Sequence, residues 1–277
     1  MVVRVLDALF PRSCAGCRAG PWPFCSDCAS RLRPIEPPWC ERCGNPTDRP
    51  QPTCEDCPPP SLTSMRSAFV YDGPARRAVL RLKFSGWRDV APAFADAIAS
   101  AGRVPDVDVV TWVPLARGRR AERGYDQARA LAVALARVTE RPARRQLRRP
   151  VSTTPQAKRS GAERRMAMHG VFRASRPAPP RVLLVDDVLT TGATLAAAAD
   201  VLREAGATEV HAVTAARSIA RRRRALRGPA RPAYPQAGSR PADLVFCPTP
   251  ACRSARPAAW TSTAPELPPS PGHPGQD

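Results

Sequence analysis

The chain has 277 residues, of which 43% are apolar, and a formal net charge of +19 at neutral pH. This length suits one or two domains, and the apolar content is sufficient for a folded core. A charge this positive predicts attraction to polyanions, whether phosphorylated metabolites, nucleic acid or an anionic membrane surface. No run of 18 apolar residues exists, and Arg4, Asp7 and Pro11 interrupt the first segment. We therefore expect a soluble, cytoplasmic protein without a signal segment or membrane span.

Eight of the ten cysteines form four Cys-x-x-Cys pairs within residues 1–62. Such even spacing is typical of thiolate knuckles that bind zinc, and a short, proline-rich segment needs a metal to fold. The simplest partition is sequential, although interleaved pairing and a redox role for one set of thiols remain open. Four thiolates leave no open coordination position, so the expected zinc ions, two in number, are structural. The predicted ligands are Cys14, Cys17, Cys25, Cys28, Cys40, Cys43, Cys54 and Cys57.

From residue 63 to residue 217 the apolar pattern predicts strands that alternate with helices. This alternation indicates an α/β domain with a mainly parallel sheet flanked by helices, preceded by a small zinc-ribbon module. In chain order, the predicted elements are a strand over Arg66–Tyr71, helices over Ala75–Phe84 and Asp89–Ala101, a strand over Asp108–Val113, one long helix over Ala121–Val138, a strand over Arg181–Asp187, a helix over Ala193–Ala205 and a strand over Glu209–Ala215.

The last segment, residues 218–277, lacks hydrophobic periodicity. It contains the run Arg221–Arg224, and 12 prolines lie between residues 221 and 277. This composition is typical of a disordered tail. Cys247 and Cys252 within it are interpreted as unpaired thiols, because two cysteines at that spacing are a weak metal signal.

The most informative motif is Val182–Leu195, with the sequence VLLVDDVLTTGATL. A hydrophobic strand delivers two adjacent carboxylates, Asp186 and Asp187, to its C-terminal end, where open α/β sheets bind ligands. The turn that follows offers hydroxyl groups and backbone N–H groups, and the next helix directs its N-terminus to the same place. The predicted phosphate-binding residues are Thr190, Thr191, Gly192, Ala193 and Thr194.

Carboxylates beside a phosphate site are explained by a ribose phosphate. The sugar hydroxyls donate to the carboxylates while the 5′-phosphate occupies the turn, so Asp186 and Asp187 are the candidate catalytic residues. The alternative is a strand that ends in solvated aspartates with an ordinary threonine-rich helix start. Because adjacent strand residues point to opposite faces, one of the two aspartates can have a structural role and not contact the ligand.

This motif resembles the phosphoribosyl pyrophosphate (PRPP) loop of type I phosphoribosyltransferases. Over about residues 5–217 the chain is similar to the ComF family, which couples a zinc ribbon to such a domain. Besides the PRPP loop, the resemblance rests on LKFSG (Leu82–Gly86), VPLARGRRAERGYDQA (Val113–Ala128) and TPQAKRSGAERRMAMHGVF (Thr154–Phe172). It implies binding of PRPP or a nucleotide, Mg²⁺ bound with PRPP, and, if the domain is active, transfer of the phosphoribosyl group to a nitrogen acceptor.

The resemblance also assigns expected roles to individual residues. Residues 113–117 correspond to the turn that binds pyrophosphate, and residues 156–165 correspond to a mobile hood. Several arginines after the turn become candidates to face the diphosphate. The substrate-binding residues implied in this way are Val113, Pro114, Leu115, Ala116, Arg117, Arg119, Arg120, Arg123 and Lys83.

The chain departs from the family pattern in two motifs. Tyr125 and Asp126 stand where Phe and Asn are usual, and Ala167 stands where an Asn usually follows. Both departures remove an amide able to contact a substrate, so we expect ligand binding more than turnover. No residue pattern in the sequence identifies a pocket for the acceptor base.

The ComF resemblance also implies a role in competence and DNA uptake, and this supports a second hypothesis. Residues 117–165 contain 15 Lys and Arg residues against 4 Asp and Glu residues. A basic groove of this kind is expected to bind single-stranded DNA, with Trp87, Trp112 and Tyr125 as the available stacking platforms. Competence-machinery proteins are further expected partners. The alternative is that the arginines form a solvated face and reflect a GC-rich genome.

Overall fold

The computed structural model describes residues 12–57, 60–102, 104–150 and 171–219. All of them belong to one unit, Met1–Phe246. Several sequence predictions lie outside the described residues. They are the hood at residues 156–165, Ala167, the arginine run Arg221–Arg224, the cysteines at 247 and 252, and almost all of the tail.

The described elements follow the predicted alternation of strands and helices. They are α1 (Ser26–Ser30), β1 (Ser64–Val70), α2 (Gly73–Phe84), α3 (Val90–Ser100), β2 (Val109–Trp112), α4 (Arg117–Arg123), α5 (Gln127–Val138), β3 (Leu147–Arg148), β4 (Arg173–Ala174), β5 (Arg181–Leu189), α6 (Ala193–Glu204) and β6 (Glu209–Arg217).

Four of the strands form a parallel sheet in the order β1-β6-β5-β2. Leu184 in the centre of β5 pairs with Thr111 on one side and with Ala212 on the other. A separate antiparallel pair, β3 and β4, flanks the undescribed residues 151–170. The predicted mainly parallel α/β sheet is therefore confirmed.

Strand β5 forms the centre of the fold because both of its faces are buried. Val182 and Leu184 pack with α6 on one side of the sheet, whereas Leu183 and Val185 pack with α3 and α5 on the other. A parallel strand covered on both faces is a continuous apolar run rather than an alternating one. The hydrophobic residues of β5 thus hold its carboxyl end in a fixed position.

The prediction of one long helix over residues 121–138 is wrong. Two helices occupy the segment, since α4 ends at Arg123 and α5 begins at Gln127. Gly124 has a φ of 70°, a left-handed conformation that ends a helix at low cost when the residue is glycine. Asp126 then starts α5 by accepting a hydrogen bond from the backbone N–H of Arg129 at 3.1 Å.

The cysteine-rich segment packs on both sides of the α/β domain. Ala15 and Leu32 are buried in the core cluster on one side, and Leu62 is buried in the cluster on the other. Trp22 contacts Trp87, with ring centroids 6.4 Å apart. Among the helices of the described residues, none has the length and apolarity needed to cross a membrane.

Candidate functional site

The eight predicted zinc ligands form two groups of four. Within each group the sulfur atoms all lie within 4.8 Å of one another. The sulfurs of Cys17 and Cys25 are 3.6 Å apart, and those of Cys43 and Cys54 are 3.5 Å apart. A tetrahedral zinc with Zn–S bonds of about 2.3 Å requires sulfur separations of about 3.8 Å. Both groups therefore fit a zinc ion, and the structure selects the sequential partition: Cys14, Cys17, Cys25 and Cys28; then Cys40, Cys43, Cys54 and Cys57.

The first group prepares one thiolate for metal binding. The backbone N–H groups of Gly16 and Cys25 both donate to Cys14 Sγ at 3.3 Å. Burial alone raises the pKa of Cys14, but these amide hydrogen bonds outweigh it and lower the pKa to about 6. By contrast, burial and the neighbouring thiol groups raise the pKa of Cys28 to about 12. Four thiolates at this spacing consequently need a cation to be charged together.

In the second group, likewise, the pKa of one thiol is lowered and that of another is raised. Burial raises the pKa of Cys40, yet hydrogen bonds led by the backbone of Cys43 lower it to about 7. Burial raises the pKa of Cys43. The guanidinium of Arg217 donates to the carbonyl oxygen of Cys43 and lies 3.9 Å from its sulfur. A positive charge at this distance partly offsets the negative charge of a four-thiolate zinc centre.

Arginines of the α/β domain hold both cysteine groups. From α2, Arg77 donates to the carbonyl oxygen of Gly16 at 2.6 Å, and Arg81 donates to those of Cys14 and Ala15. Arg217, at the end of β6, donates to the carbonyl oxygen of Cys43 in the second group. The helix that carries Arg77 and Arg81 also carries Lys83, which contacts Asp187 of the candidate sugar-phosphate site, so the first zinc group and this site share one structural support.

The predicted phosphate-binding turn lies between β5 and α6. Gly192 has a φ of 78°, so the turn uses the conformation that glycine tolerates best. Thr190 and Thr191 are exposed, and the hydroxyl of Thr191 accepts from the N–H of Ala193 at 3.4 Å. Thr194 is half-buried in the first turn of α6. The backbone N–H groups of a first helical turn lack partners within the helix, so the open turn offers donors to an anion.

The two adjacent carboxylates have different surroundings. Asp187 is buried, and its Oδ1 forms an ion pair with Lys83 Nζ at 3.0 Å. Its Oδ2 is also buried, yet it has no hydrogen-bond partner among the described residues. Asp186 is half-buried and its Oδ1 accepts from the N–H of Asp187 at 2.8 Å. Burial, followed by the charge of Asp187, raises the pKa of Asp186 well above its ordinary value.

The predicted pyrophosphate turn begins at the end of β2, the strand next to β5. Val113 donates its N–H to the carbonyl oxygen of Val185 at 3.0 Å, which fixes the turn beside the candidate ribose site. Val113 and Pro114 are buried, while Leu115 and Ala116 are half-buried. The backbone of residue 117 starts α4, but its side chain is outside the described part of the structure.

Asp126 positions this turn. Its Oδ2 accepts from the N–H of Leu115 at 3.3 Å while its Oδ1 accepts from the N–H of Arg129. An aspartate provides two acceptor oxygens for two N–H donors, whereas an asparagine provides only one. Burial raises the pKa of Asp126. At this position, therefore, an aspartate has a structural role that the sequence did not reveal.

An arginine-rich pocket of about 540 Å³ adjoins the pyrophosphate turn. Among the described residues, no carboxylate pairs with any of its five arginines. Only Arg120 of these five was singled out from the sequence, because the others lie on or beside the unpredicted β3–β4 pair. The lining residues are Leu115, Arg120, Arg145, Arg148, Arg149, Pro150, Arg173 and Ser175.

Two of the three proposed stacking platforms are closed to a ligand, which corrects the sequence interpretation. Trp112 and Tyr125 are each only 8% exposed, because both face the core on the α3 and α5 side. Trp87 is half-buried under Trp22 and Arg81. The exposed aromatic ring in this region is Phe84, with Arg123 over one face.

Comparison with known proteins agrees with both parts of the fold. Residues 5–58 match the family described as "Double zinc ribbon domain", and residues 123–231 match the one described as "Phosphoribosyl transferase domain". "Competence protein ComFC" of Bacillus subtilis is 31% identical over 70% of this chain and 84% of its own length. This chain belongs to the ComF family.

The names of two other relatives refer to competence or to DNA utilization. "Competence protein F" of Haemophilus influenzae is 30% identical over 68% of this chain and 87% of its own length. "DNA utilization protein YhgH" of Escherichia coli O157:H7 is 30% identical over 72% and 94%, respectively. A solved glutamine PRPP amidotransferase from B. subtilis, complexed with ADP and GMP, matches at 24% identity and a TM-score of 0.36, over 49% of this chain and 30% of that one.

Proposed function

We propose that this ComF-family protein binds PRPP or a nucleotide of ribose 5-phosphate at the carboxyl edge of β5. The observation that carries the proposal is the open threonine turn directly after a half-buried carboxylate, Asp186. In the proposed complex the 5′-phosphate occupies Thr190–Thr194, where hydroxyls, amides and the helix N-terminus favour an anion. The sugar hydroxyls donate to Asp186, which is half-buried, whereas one oxygen of Asp187 is paired with Lys83 and the other is buried.

The ion pair with Lys83 limits how Asp187 contributes. One of its oxygens already accepts from the ammonium at 3.0 Å and the other is buried, so a sugar hydroxyl meets Asp186 first. Lys83 also brings a positive charge to the site, and that charge favours a ligand with several phosphates. The two aspartates therefore form an unequal pair, in which Asp186 is the more accessible acceptor.

Phosphoribosyl transfer is the proposed enzymatic extension of this binding. The bond between the anomeric carbon and the pyrophosphate oxygen breaks, pyrophosphate leaves with the electron pair, and a nitrogen acceptor forms the new bond and loses a proton. Mg²⁺ bound together with PRPP would neutralise the leaving diphosphate. Residues 113–117 would position the diphosphate, and the aspartates would stabilise positive charge that develops on the ribose.

Calorimetry of the full-length protein with PRPP and Mg²⁺ tests the proposal. We expect saturable binding, which the double change Asp186→Asn with Asp187→Asn abolishes. Wild-type protein that binds neither PRPP nor ribose 5-phosphate would refute it. Pyrophosphate release in the presence of a panel of bases then decides between an enzyme and a protein that only binds.

A second candidate function is handling of single-stranded DNA in the cytoplasm. The five-arginine pocket favours it, because guanidinium groups without acidic partners suit a phosphodiester backbone. The eight cysteines form two zinc-type groups and not disulfides, which is consistent with a reducing compartment such as the cytoplasm. Oligonucleotide binding that weakens steeply with salt and persists in the double aspartate variant would support this function.

Variants of the pocket provide the matched test for DNA. Replacing Arg148 and Arg149 with glutamine should reduce both the affinity and its salt dependence, because each lost phosphate contact lowers the slope by about one. Replacing the exposed Arg76 and Arg137, on α2 and α5 outside the pocket, with glutamine removes the same number of charges and is the control for charge alone. Equal loss in both variants would indicate non-specific attraction by the basic surface.

A further inference from the structure

The structure assigns a nucleobase platform to Phe84 and Arg123, an inference that rests on the proposed function and names what lies next to the ribose. The platform is the exposed ring of Phe84 with the guanidinium of Arg123 against one face. It would hold the planar base of a bound nucleotide, or the base that accepts the phosphoribosyl group. The sequence alone contained no feature that indicated where a base is bound.

The first argument is the exposure of Phe84. Among the described residues, only Phe84 and Val138 are large hydrophobic side chains classed as exposed, at 64% and 41%. A single exposed apolar residue is common on protein surfaces and needs no explanation by itself. Phe84, however, directly follows Lys83, which contacts Asp187 of the candidate ribose site, whereas Val138 is the last residue of α5.

The second argument is the link to the ribose carboxylate. Phe84 directly follows Lys83 at the end of α2, and Lys83 Nζ contacts Asp187 Oδ1 at 3.0 Å. Adjacent Cα atoms are about 3.8 Å apart, so the phenyl ring begins one residue from a side chain that reaches the proposed sugar site. In the proposed complex, the base attached to the anomeric carbon extends from that sugar and lies against this ring.

The third argument is that the guanidinium of Arg123 already stacks on one face of the Phe84 ring. The Cζ atom of Arg123 is 4.6 Å from the centroid of the Phe84 ring. A guanidinium on an aromatic face is a planar, donor-rich group, and aromatic rings and arginines are the side chains on which bases stack. A base can therefore stack on the remaining face of Phe84 or cover the outer face of the guanidinium.

The fourth argument is that the platform is held in place. Arg88 lies over the ring of Tyr125, with its Cζ atom 4.8 Å from the centroid, and donates to the carbonyl oxygen of Gly124 at 3.4 Å. These contacts join the loop after Phe84 to the turn after Arg123. The two halves of the platform are thus tied to each other, and a preorganised surface loses little entropy when a ligand binds.

Calorimetry with two probes tests the inference on the full chain. Adenosine 5′-monophosphate carries a base, whereas ribose 5-phosphate lacks one. We expect the wild type to bind the nucleotide more tightly, and Phe84→Ala to weaken nucleotide binding by about 5- to 150-fold, the range of one base stack. Phe84→Ala should leave the affinity for ribose 5-phosphate unchanged, and Phe84→Trp should retain the advantage of the nucleotide.

Further controls separate the possible failures. Val138→Ala removes another exposed apolar side chain and should change neither affinity. In Phe84→Trp, the nucleotide but not ribose 5-phosphate should quench the added fluorescence. If ribose 5-phosphate binds and the nucleotide keeps its full advantage in Phe84→Ala, the platform is refuted and the proposed function stands. If PRPP binds the wild type but neither probe does, the platform is refuted and the proposed function stands. If PRPP does not bind either, both fail.

Discussion

Lys83 Nζ lies 3.0 Å from Asp187 Oδ1, so an α2 residue neutralises a buried carboxylate at the end of β5. The Lys83 side chain is 21% exposed and that of Asp187 is 6% exposed. Because α2 also holds the first zinc group through Arg77 and Arg81, this ion pair joins the zinc module to the candidate sugar site.

Removal of Lys83 should destabilise the fold. Lys83→Met leaves the Asp187 carboxylate buried without its partner, which we expect to cost about 2–4 kcal/mol of the free energy of unfolding. Urea denaturation at neutral pH measures this loss. The double variant Lys83→Met with Asp187→Asn should recover part of it, because no buried charge is then left alone. Equal losses in the single and double variants would contradict the ion pair as the cause.

The raised pKa of Asp186 predicts a pH dependence of stability. The folded protein keeps a proton on Asp186 at pH values where the unfolded chain, with a pKa near 3.8, has lost it. This group therefore lowers the stability as the pH rises above about 3.8, up to its folded pKa. Asp186→Asn should be more stable than the wild type near neutral pH and should lose this advantage towards pH 4. Urea unfolding across that pH range measures the difference, and a constant difference would contradict the prediction.

The geometry of the cysteine groups predicts zinc content. Purified, reduced wild-type protein should contain close to two zinc ions, and a chelator should remove N-terminal structure, since structural zinc contributes folding free energy. Cys28→Ser should reduce the content to one ion by disrupting only the first group. The paired change of Cys247 and Cys252 to serine is the control and should leave two. Elemental analysis provides the measurement, and a wild-type zinc content near zero would refute the site.

The two hydrogen bonds of Asp126 predict different results for two substitutions. Asp126→Ala loses the helix cap and should cost about 0.5–2 kcal/mol of stability. Asp126→Asn retains one acceptor for the cap but places a donor near the N–H of Leu115, so it should weaken PRPP binding more than it weakens the fold. Thermal unfolding and calorimetry with PRPP separate the two effects. Unchanged PRPP affinity in Asp126→Asn would argue against a role in positioning the turn.

Elements that depend on local patterns of residues were predictable from the amino-acid sequence. The apolar run of Arg181–Asp187 predicted the strand β5, and the glycine at 192 indicated a turn with a left-handed residue before α6. The regular cysteine spacing likewise predicted the two thiol groups, because each knuckle is closed by residues close together in the chain. The break at Gly124 was missed, since an alanine- and arginine-rich helical pattern continues across it.

The burial or exposure of the aromatic side chains, by contrast, depends on the complete fold. Trp112 and Tyr125 were buried by packing against α3 and α5, and Phe84 was left exposed because its helix ends at the surface. The five-arginine pocket joins α4 to a pair of two-residue strands that no periodicity could reveal. The two adjacent aspartates could not be distinguished in the sequence. Their difference arises because Asp187 pairs with Lys83, a residue far from it in the chain that only the complete fold brings close.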